Sequence, residues 1–190
     1  MRRHLRMLDL FSGLGGASRA MRDRGWDVLT VDVEPAFGCT WTADLTTWVY
    51  DGPPVDLVWA SPPCTEFSRD HLPWLKGKYP PPSLDLAKAA RRIISEVQPV
   101  WWVIENVCGA VRHLTPLLGR EPTKVGQAFL WGDFPDLGPV RVKPHKERLS
   151  SNRRAERACI PYEISLALAK ACEGSILALQ GAVKMGDDHA

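Results

Sequence analysis

A cysteine and a carboxylate each follow a short apolar run in this sequence of 190 residues. Cys64 lies in the segment Ser61–Ser68, SPPCTEFS, directly after the run Val55–Ala60, and Glu105 directly follows the run Val100–Ile104. Two prolines before Cys64 restrict the backbone and would fix the direction of the thiol. The polar, proline-rich surroundings favour a reactive thiol over the small buried residue that a lone cysteine usually is. A structural reading of Glu105 as a helix cap stays open.

A glycine-rich segment near the start of the chain predicts a binding loop for a nucleoside. Residues 9–16, DLFSGLGG, stand where a strand would turn into a helix, and glycines there allow a ligand to approach the backbone closely. Ser18 occupies the place of the third dinucleotide glycine and no lysine follows, so the segment suits a ligand without a pyrophosphate. Asp32 ends the next strand about 20 residues later, where an acid can hold ribose hydroxyls. The alternative is a plain glycine turn with a surface acid.

The pattern of apolar residues predicts strands that alternate with helices. Strands are predicted over Leu5–Phe11, Asp27–Val33, Val55–Ala60 and Val100–Ile104, with shorter ones at Ala128–Trp131 and Val140–Lys143. Helices are predicted over Leu14–Arg24, Ser83–Val97 and Pro161–Leu179, the last interrupted at Gly174, and a mobile loop over Thr65–Pro82. This alternation predicts an α/β fold with a mostly parallel sheet, in which Cys64 and Glu105 share the edge where ligands bind.

Composition excludes several classes of protein. The formal net charge is +2, which is too small to show a nucleic-acid partner by itself. Five cysteines without a CxxC pair argue against a disulfide framework or a zinc ribbon and for a reducing compartment, and the five scattered histidines suggest no metal site. No stretch approaches the roughly 20 apolar residues of a membrane span, so we expect a cytoplasmic protein.

Taken together, these segments resemble the motifs of the DNA (cytosine-5-)methyltransferase family in order and approximate spacing, from about Met7 to Val107. The matching segments are Asp9–Gly16 (first cofactor motif), Asp32 (ribose acid), Asp44-Leu45 (adenine contact), Pro63-Cys64 (nucleophile) and Glu105-Asn106-Val107 (ENV tripeptide). The resemblance implies an S-adenosyl-L-methionine (SAM)-dependent methyltransferase fold, which is Rossmann-like with helices on both faces of the sheet. It also implies one catalytic domain over residues 1–182, with a minimal recognition segment at about 115–160 and a disordered tail over 183–190.

The resemblance also implies roles for individual residues. Cys64 would add to carbon 6 of cytosine and Glu105 would hold N3 and the exocyclic amine, with Pro63 and Asn106 completing the catalytic set and Asn106 positioning backbone. The residues implied to bind SAM, or a close analogue, are Asp9, Phe11, Ser12, Gly13, Leu14, Gly15, Gly16, Asp32, Val33, Asp44, Leu45 and Pro62. The target base must be flipped out of a duplex or already unpaired.

Basic and polar residues outside these motifs are candidate contacts to the nucleic acid. They are Ser68, Lys76, Lys78, Arg148, Arg153, Arg154 and Arg157. His71 and Trp74 add aromatic character to the first group. DNA is the expected partner, ahead of RNA, and an ordinary solvated surface is the alternative for both groups.

Two departures from the family pattern leave alternatives open. The arginine-bearing QxRxR segment has no clean match, since Gln127 lacks arginines at the right offsets and the nearest candidates are Arg141-Val142-Lys143 and Lys146-Glu147-Arg148. There is also almost no room for a recognition region, so specificity would be short or supplied by a partner or a second copy, as in a compact phage or restriction–modification gene. A non-catalytic module that binds SAM or nucleic acid, an RNA substrate and a modified SAM donor are the competing interpretations.

Overall fold

The computed structural model describes residues 4–75, 77–143 and 159–187, with the backbone alone for 179–187. Within these residues, seven strands form one sheet in the order β3-β2-β1-β4-β5-β7-β6. The strands are β1 Arg6–Leu10, β2 Asp27–Asp32, β3 Trp41–Thr42, β4 Leu57–Ala60, β5 Trp101–Asn106, β6 Thr123–Val125 and β7 Ala128–Asp133. Strands β1 to β5 pair in parallel, whereas β7 is antiparallel to both β5 and β6. The predicted α/β fold with a mostly parallel sheet is confirmed.

Helices cover both faces of the sheet. They are α1 Arg19–Asp23, α2 Thr65–His71, α3 Asp85–Val97, α4 Val111–Leu118 and α5 Tyr162–Asp187, with short 3-10 turns at Pro35–Phe37, Pro73–Leu75 and Cys108–Ala110. Of these helices, none combines the length and the apolar character needed to cross a bilayer.

Two apolar cores, one on each face, hold the layers together. Met7 and Trp59 of the sheet pack with α1 and α5 in one core, while Leu8 and Val58 pack with α2, α3 and α4 in the other. Successive residues of β1 and β4 therefore point to opposite cores, as the period of a strand requires. All four residues of β4 are buried, which explains why the central strands are continuous apolar runs in the sequence.

The last helix binds the first helix through polar contacts as well as apolar ones. The Ser165 hydroxyl donates to the carbonyl of Ala17 at 2.6 Å and its oxygen accepts from the backbone N–H of Ala20 at 3.2 Å. Glu173 accepts hydrogen bonds from Arg24 and from the indole N–H of Trp26. These residues lie about 145 positions apart in the chain, so the two ends of the sequence form one layer.

Several local predictions were wrong. Helix α1 begins only at Arg19 because the glycine-rich segment before it forms a loop, and Val140–Lys143 forms no strand, although Val140 and Val142 pack against the core. Thr65–Pro82 is helical over Thr65–His71, where Phe67 supplies an apolar anchor. Strands β3 and β6 and helix α4 were not predicted, since each is too short to show a period.

Helix α5 also differs from its prediction. It passes through Gly174 without interruption and continues to Asp187, beyond residue 183, where a disordered tail was predicted to begin. Residues 182–185 (AVKM) include no proline and are mostly good helix formers, which accounts for the extension.

Two glycine substitutions test this packing. At Gly109 a Cβ atom would lie 2.3 Å from the carbonyl oxygen of Phe67, so we expect Gly109→Ala to destabilise the protein by roughly 1 to 3 kcal/mol.

At Gly174 a Cβ atom would meet nothing within 4 Å, so Gly174→Ala should stabilise the protein by about 0.5 to 1 kcal/mol. Urea unfolding followed by circular dichroism measures both changes, and a destabilised Gly174→Ala variant would mean that the helix is broken there.

Candidate active site

The predicted site residues follow the carboxyl ends of the parallel strands, and hydrogen bonds join the loops along that edge. The N–H of Ser12 donates to the carbonyl of Val31 at 3.1 Å, and the N–H of Ser61 donates to that of Leu10 at 3.3 Å. The turn after β4 is joined to the end of β5 by Asn106. The order of the strands reverses between β1 and β4, and such a switch point opens a crevice for ligands.

The loop after β1 contains three residues in the left-handed region. Phe11, Gly13 and Gly15 have φ of 58°, 52° and 74°. Phe11 is the one of the three that is not glycine, so its backbone is strained. The N–H of Gly13 donates to Oδ2 of Asp32 at 2.9 Å, while Oδ1 of the same carboxylate accepts from the N–H of Glu34 at 3.0 Å. Asp32 thus fixes the loop to the end of β2.

Asp9 of β1 holds the loop through a hydrogen bond. It is 1% exposed and accepts a hydrogen bond of 2.8 Å from the Ser12 hydroxyl. Burial raises the pKa of Asp9 to about 6, although hydrogen bonds from Ser18 and Ser12 and the charge of Arg22 act in the opposite direction. Its position makes Asp9 a support for the loop backbone rather than a direct wall of the crevice.

The backbone and the side chains around this loop are accessible on its outer side. A Cβ atom at Gly13 would meet nothing within 4 Å, so the backbone is open to a ligand. Leu14 follows Gly13 in the loop and Val33 follows Asp32, and both apolar side chains are exposed. The exposed Asp44 carboxylate accepts from Thr46, and these hydrogen bonds lower the pKa of Asp44. Apolar flanks with two acids suit an adenine ring and ribose hydroxyls.

Three other residues of the predicted cofactor set, Leu45, Gly16 and Pro62, contribute to packing. Leu45 is buried in the core beside α3. Gly16 faces the segment before α5, where an added Cβ atom would lie 2.7 Å from the backbone nitrogen of Ile160. Pro62 is buried in the turn after β4.

Cys64 is the residue from which α2 starts. Its carbonyl accepts the N–H of Ser68 at 2.9 Å, and its side chain is half-buried. Pro63 before it is exposed. The strand, the two prolines and the helix together leave the Cys64 backbone little freedom. The thiol is therefore presented from a fixed point at the edge of the sheet.

Helix α2 is fastened to the segment that follows β5. Asp70 accepts hydrogen bonds from His113, at 2.7 Å, and from Arg112 of α4. These contacts lower the pKa of Asp70. The 3-10 turn at Gly109 packs against the carbonyl of Phe67. The elements that carry Cys64 and Glu105 thus support each other.

Glu105 lies on β5 beside the turn that leads to Cys64. Trp59 of β4 pairs with Val103 of β5, and this register places Ser61 next to Glu105 on one face of the sheet. Burial raises the pKa of Glu105 to about 7, against a hydrogen bond from Ser61 that lowers it. The carboxyl can therefore carry a proton near neutral pH.

Asn106 joins the two halves of the site. It is 1% exposed, and its amide nitrogen donates to the carbonyl of Pro62 at 2.9 Å. Its amide oxygen accepts from the N–H of Val107 at 2.9 Å. The side chain thus spans from the end of β5 to the turn before Cys64.

The nucleic-acid candidates are only partly described. Ser68 lies half-buried on α2 and Lys78 is exposed after the Pro73–Leu75 turn. Trp74 is exposed nearby, and Arg69 stacks on Tyr79 at 4.4 Å from the ring centroid. Lys76, Arg148, Arg153, Arg154 and Arg157 lie outside the described residues.

The hairpin of β6 and β7 occupies the place of the missing arginine segment. Gln127 is at its turn, Phe129 pairs with Asn106, and Leu130 pairs with Glu105. The second and fourth residues after Gln127, where the QxRxR segment has its arginines, are Phe129 and the buried Trp131. Arg141 belongs to the irregular segment after β7. Within the described residues, no charged side chain contributes to the raised pKa of Glu105.

Sequence reasoning missed two supports of the site. Arg92 of α3 donates to the carbonyls of Leu45 at 3.0 Å and Trp48 at 2.7 Å, which holds the loop that carries Asp44. Trp59 donates its indole N–H to the Ser61 hydroxyl at 2.7 Å. Ser61 is visible in the SPPC segment, but its partners depend on strand register, which the sequence does not show.

The raised pKa of Glu105 gives a test in the free protein. Between about pH 4.5 and pH 7 the folded chain keeps a proton that the unfolded chain loses, so this group lowers stability as pH rises through that range. Glu105→Gln should therefore be more stable than the wild type at pH 8, by up to about 3 kcal/mol, and equal to it near pH 4. Urea unfolding across pH measures this, with the exposed Glu121→Gln as control. A pH-independent difference would contradict the assignment.

Comparisons with known proteins agree with this geometry. No family model matches the chain. A curated relative, the "Probable DNA (cytosine-5)-methyltransferase" of Frog virus 3 (isolate Goorha), is 33% identical over 117 residues, which cover 54% of this chain and 53% of the relative. The chain thus spans about half the length of the curated relative that it matches.

A solved structure shares the fold. The crystal structure described as a DNA modification methyltransferase encoded within an E. coli prophage has a TM-score of 0.50 and 21% identity, over 68% of this chain and 46% of that chain. The S. pombe Dnmt2 methyltransferase has a TM-score of 0.42 and 20% identity, over 61% of this chain and 42% of that one. The solved DNA modification methyltransferase shares its fold with this chain, and the viral relative confirms the predicted resemblance of this chain to the DNA (cytosine-5)-methyltransferase family.

Proposed function

We propose that the chain transfers a methyl group from SAM to carbon 5 of cytosine in DNA, through a temporary bond between Cys64 and carbon 6. One observation supports the proposal: Glu105 near the carboxyl end of β5 and Cys64 just after the neighbouring strand β4 lie at the edge of the sheet that also holds the glycine-rich loop. The name of the viral relative supports the reaction and the substrate.

Cys64 would supply the nucleophile. Its thiolate sulfur bonds to carbon 6, and the electron pair of the ring double bond then becomes available at carbon 5. After carbon 5 has been methylated, a base removes its proton, the sulfur–carbon bond breaks and the double bond returns. The rigid turn Ser61–Cys64 positions the sulfur for attack on carbon 6.

Glu105 would activate and select the base. A protonated carboxyl can donate to N3 of cytosine while its other oxygen accepts from the exocyclic amine, and charge that builds on the ring during addition of the thiolate is then stabilised. The burial that raises the pKa of Glu105 to about 7 supports this state near neutral pH. Thymine presents the opposite donor and acceptor, so it leaves the pair of oxygens mismatched.

The glycine-rich loop at this edge would hold SAM. Asp32 and Asp44 would hold ribose and adenine, and the open backbone at Gly13 would admit the amino-acid part. When bound, SAM supplies the methyl group as an electrophile. Asp9, Ser12 and Asn106 keep the surrounding loops in place by the hydrogen bonds already described.

Sequence specificity remains a prediction. In the described residues 115–143, the end of α4, the β6–β7 hairpin and an irregular segment are the elements present. A partner or a second copy of the chain would extend the contact to DNA. We infer a viral or mobile-element setting from the organism of the sequence relative.

The proposal is tested with labelled SAM and mixed-sequence DNA, with tRNA in parallel, followed by mass spectrometry of the nucleosides. We expect 5-methylcytosine from DNA and a covalent complex with DNA that contains 5-fluorocytosine. Cys64→Ala should lower turnover by more than about a thousandfold and abolish the complex, whereas Cys108→Ala, which changes an exposed cysteine at the start of a 3-10 turn, should retain both. Full turnover by Cys64→Ala would refute the mechanism, and product from tRNA alone would change the substrate.

A further inference from the structure

Three side chains form a line on one face of the central strands. Trp59 and Ser61 are two residues apart on β4 and its extension, so they point to the same side, and the β4–β5 register adds Glu105 beside Ser61. The indole N–H of Trp59 donates to the Ser61 hydroxyl at 2.7 Å, and hydrogen bonding by Ser61 lowers the pKa of the neighbouring Glu105. Trp59 is fully buried, which holds the start of this line in place.

The direction of these hydrogen bonds follows from the groups involved. An indole nitrogen only donates, so the Ser61 oxygen must accept from Trp59. The single hydrogen of the hydroxyl is then free to point at the carboxyl of Glu105. One oxygen of Glu105 is thereby made an acceptor, and a proton on the carboxyl belongs on the other oxygen.

We propose that Ser61, oriented by Trp59, is a positioning residue that fixes which oxygen of Glu105 carries the proton and so favours cytosine over uracil. The inference rests on the proposed function and adds two residues to the site. Cytosine needs a donor at N3 and an acceptor at its amine, whereas uracil needs an acceptor at N3 and a donor at O4. With the proton fixed on one oxygen, the carboxyl matches the first pattern and opposes the second.

The surroundings of Glu105 leave this role to Ser61. On β4 the neighbour is Ser61, and on β7 the paired residue is the apolar Leu130. Burial and Ser61 account for the shift in the pKa of Glu105 within the part of the chain that the structure describes, so no salt bridge competes with the hydroxyl. Since the hydrogen bond from Ser61 lowers that pKa, its removal should raise it further.

The test compares Ser61→Ala with Ser61→Thr, which keeps the hydroxyl, and with Trp59→Phe, which keeps an aromatic ring but removes the donor. Substrates are single-stranded oligonucleotides with one target cytosine or uracil. For Ser61→Ala we expect kcat on cytosine to fall about tenfold with KM nearly unchanged, the preference for cytosine to fall by a similar factor, and the alkaline limb of the pH profile to move to higher pH. Trp59→Phe should shift the same quantities less, and Ser61→Thr should stay close to the wild type.

A measurement without turnover completes the test. Carbon-13 NMR of the carboxyl of Glu105, in the free protein, should show a higher pKa in Ser61→Ala than in the wild type or Ser61→Thr. Active wild type together with an unchanged profile, preference and titration in Ser61→Ala would overturn the inference alone. Wild type that makes no methylcytosine would overturn the proposed function, and the titration would still decide whether Ser61 orients Glu105.

Discussion

The parallel alignment of β1 to β5 is the constraint from which the site follows. Parallel strands bring their carboxyl ends to one edge, and backbone hydrogen bonds such as that from Ser61 to Leu10 keep the loops after them in register. Residues far apart in the chain, such as Asn106 and Pro62 at a separation of 44 positions, therefore meet at this edge. A shift of β5 by one residue would turn Glu105 to the opposite face of the sheet, away from Ser61.

Two carboxyls with raised pKa values show what the site costs the fold. Asp9 and Glu105 both have a raised pKa because burial disfavours the charged form, and each has only hydroxyl groups as its main hydrogen-bond partners. Phe11 adds backbone strain in the same loop region. A protein selected for stability alone would place apolar residues at such positions. The two apolar cores supply the stability against which these groups are maintained.

The sequence predicted the central fold and much less of its periphery. The strands at whose ends Asp32, Cys64 and Glu105 lie are largely apolar runs with clear ends, and β4 is buried along its whole length. Their common edge could be predicted, since parallel strands have no other arrangement. Helix α2 and strand β6 could not, because each depends on tertiary contacts, such as Phe67 in the core. The link between Trp59, Ser61 and Glu105 depends on register, and the roles assigned to the site residues remain predictions.

The contact between Gly16 and Ile160 has a consequence for how the chain acquires its shape. The floor of the glycine loop is backbone from residues 159 and 160, and Ser165 ties α1 to α5. The glycine loop thus meets its support only after residues 159 and 160 have also left the ribosome. Such distant pairings make folding slow, since a long loop must close before the contacts form. We therefore expect the strands to form before the glycine loop reaches its final conformation.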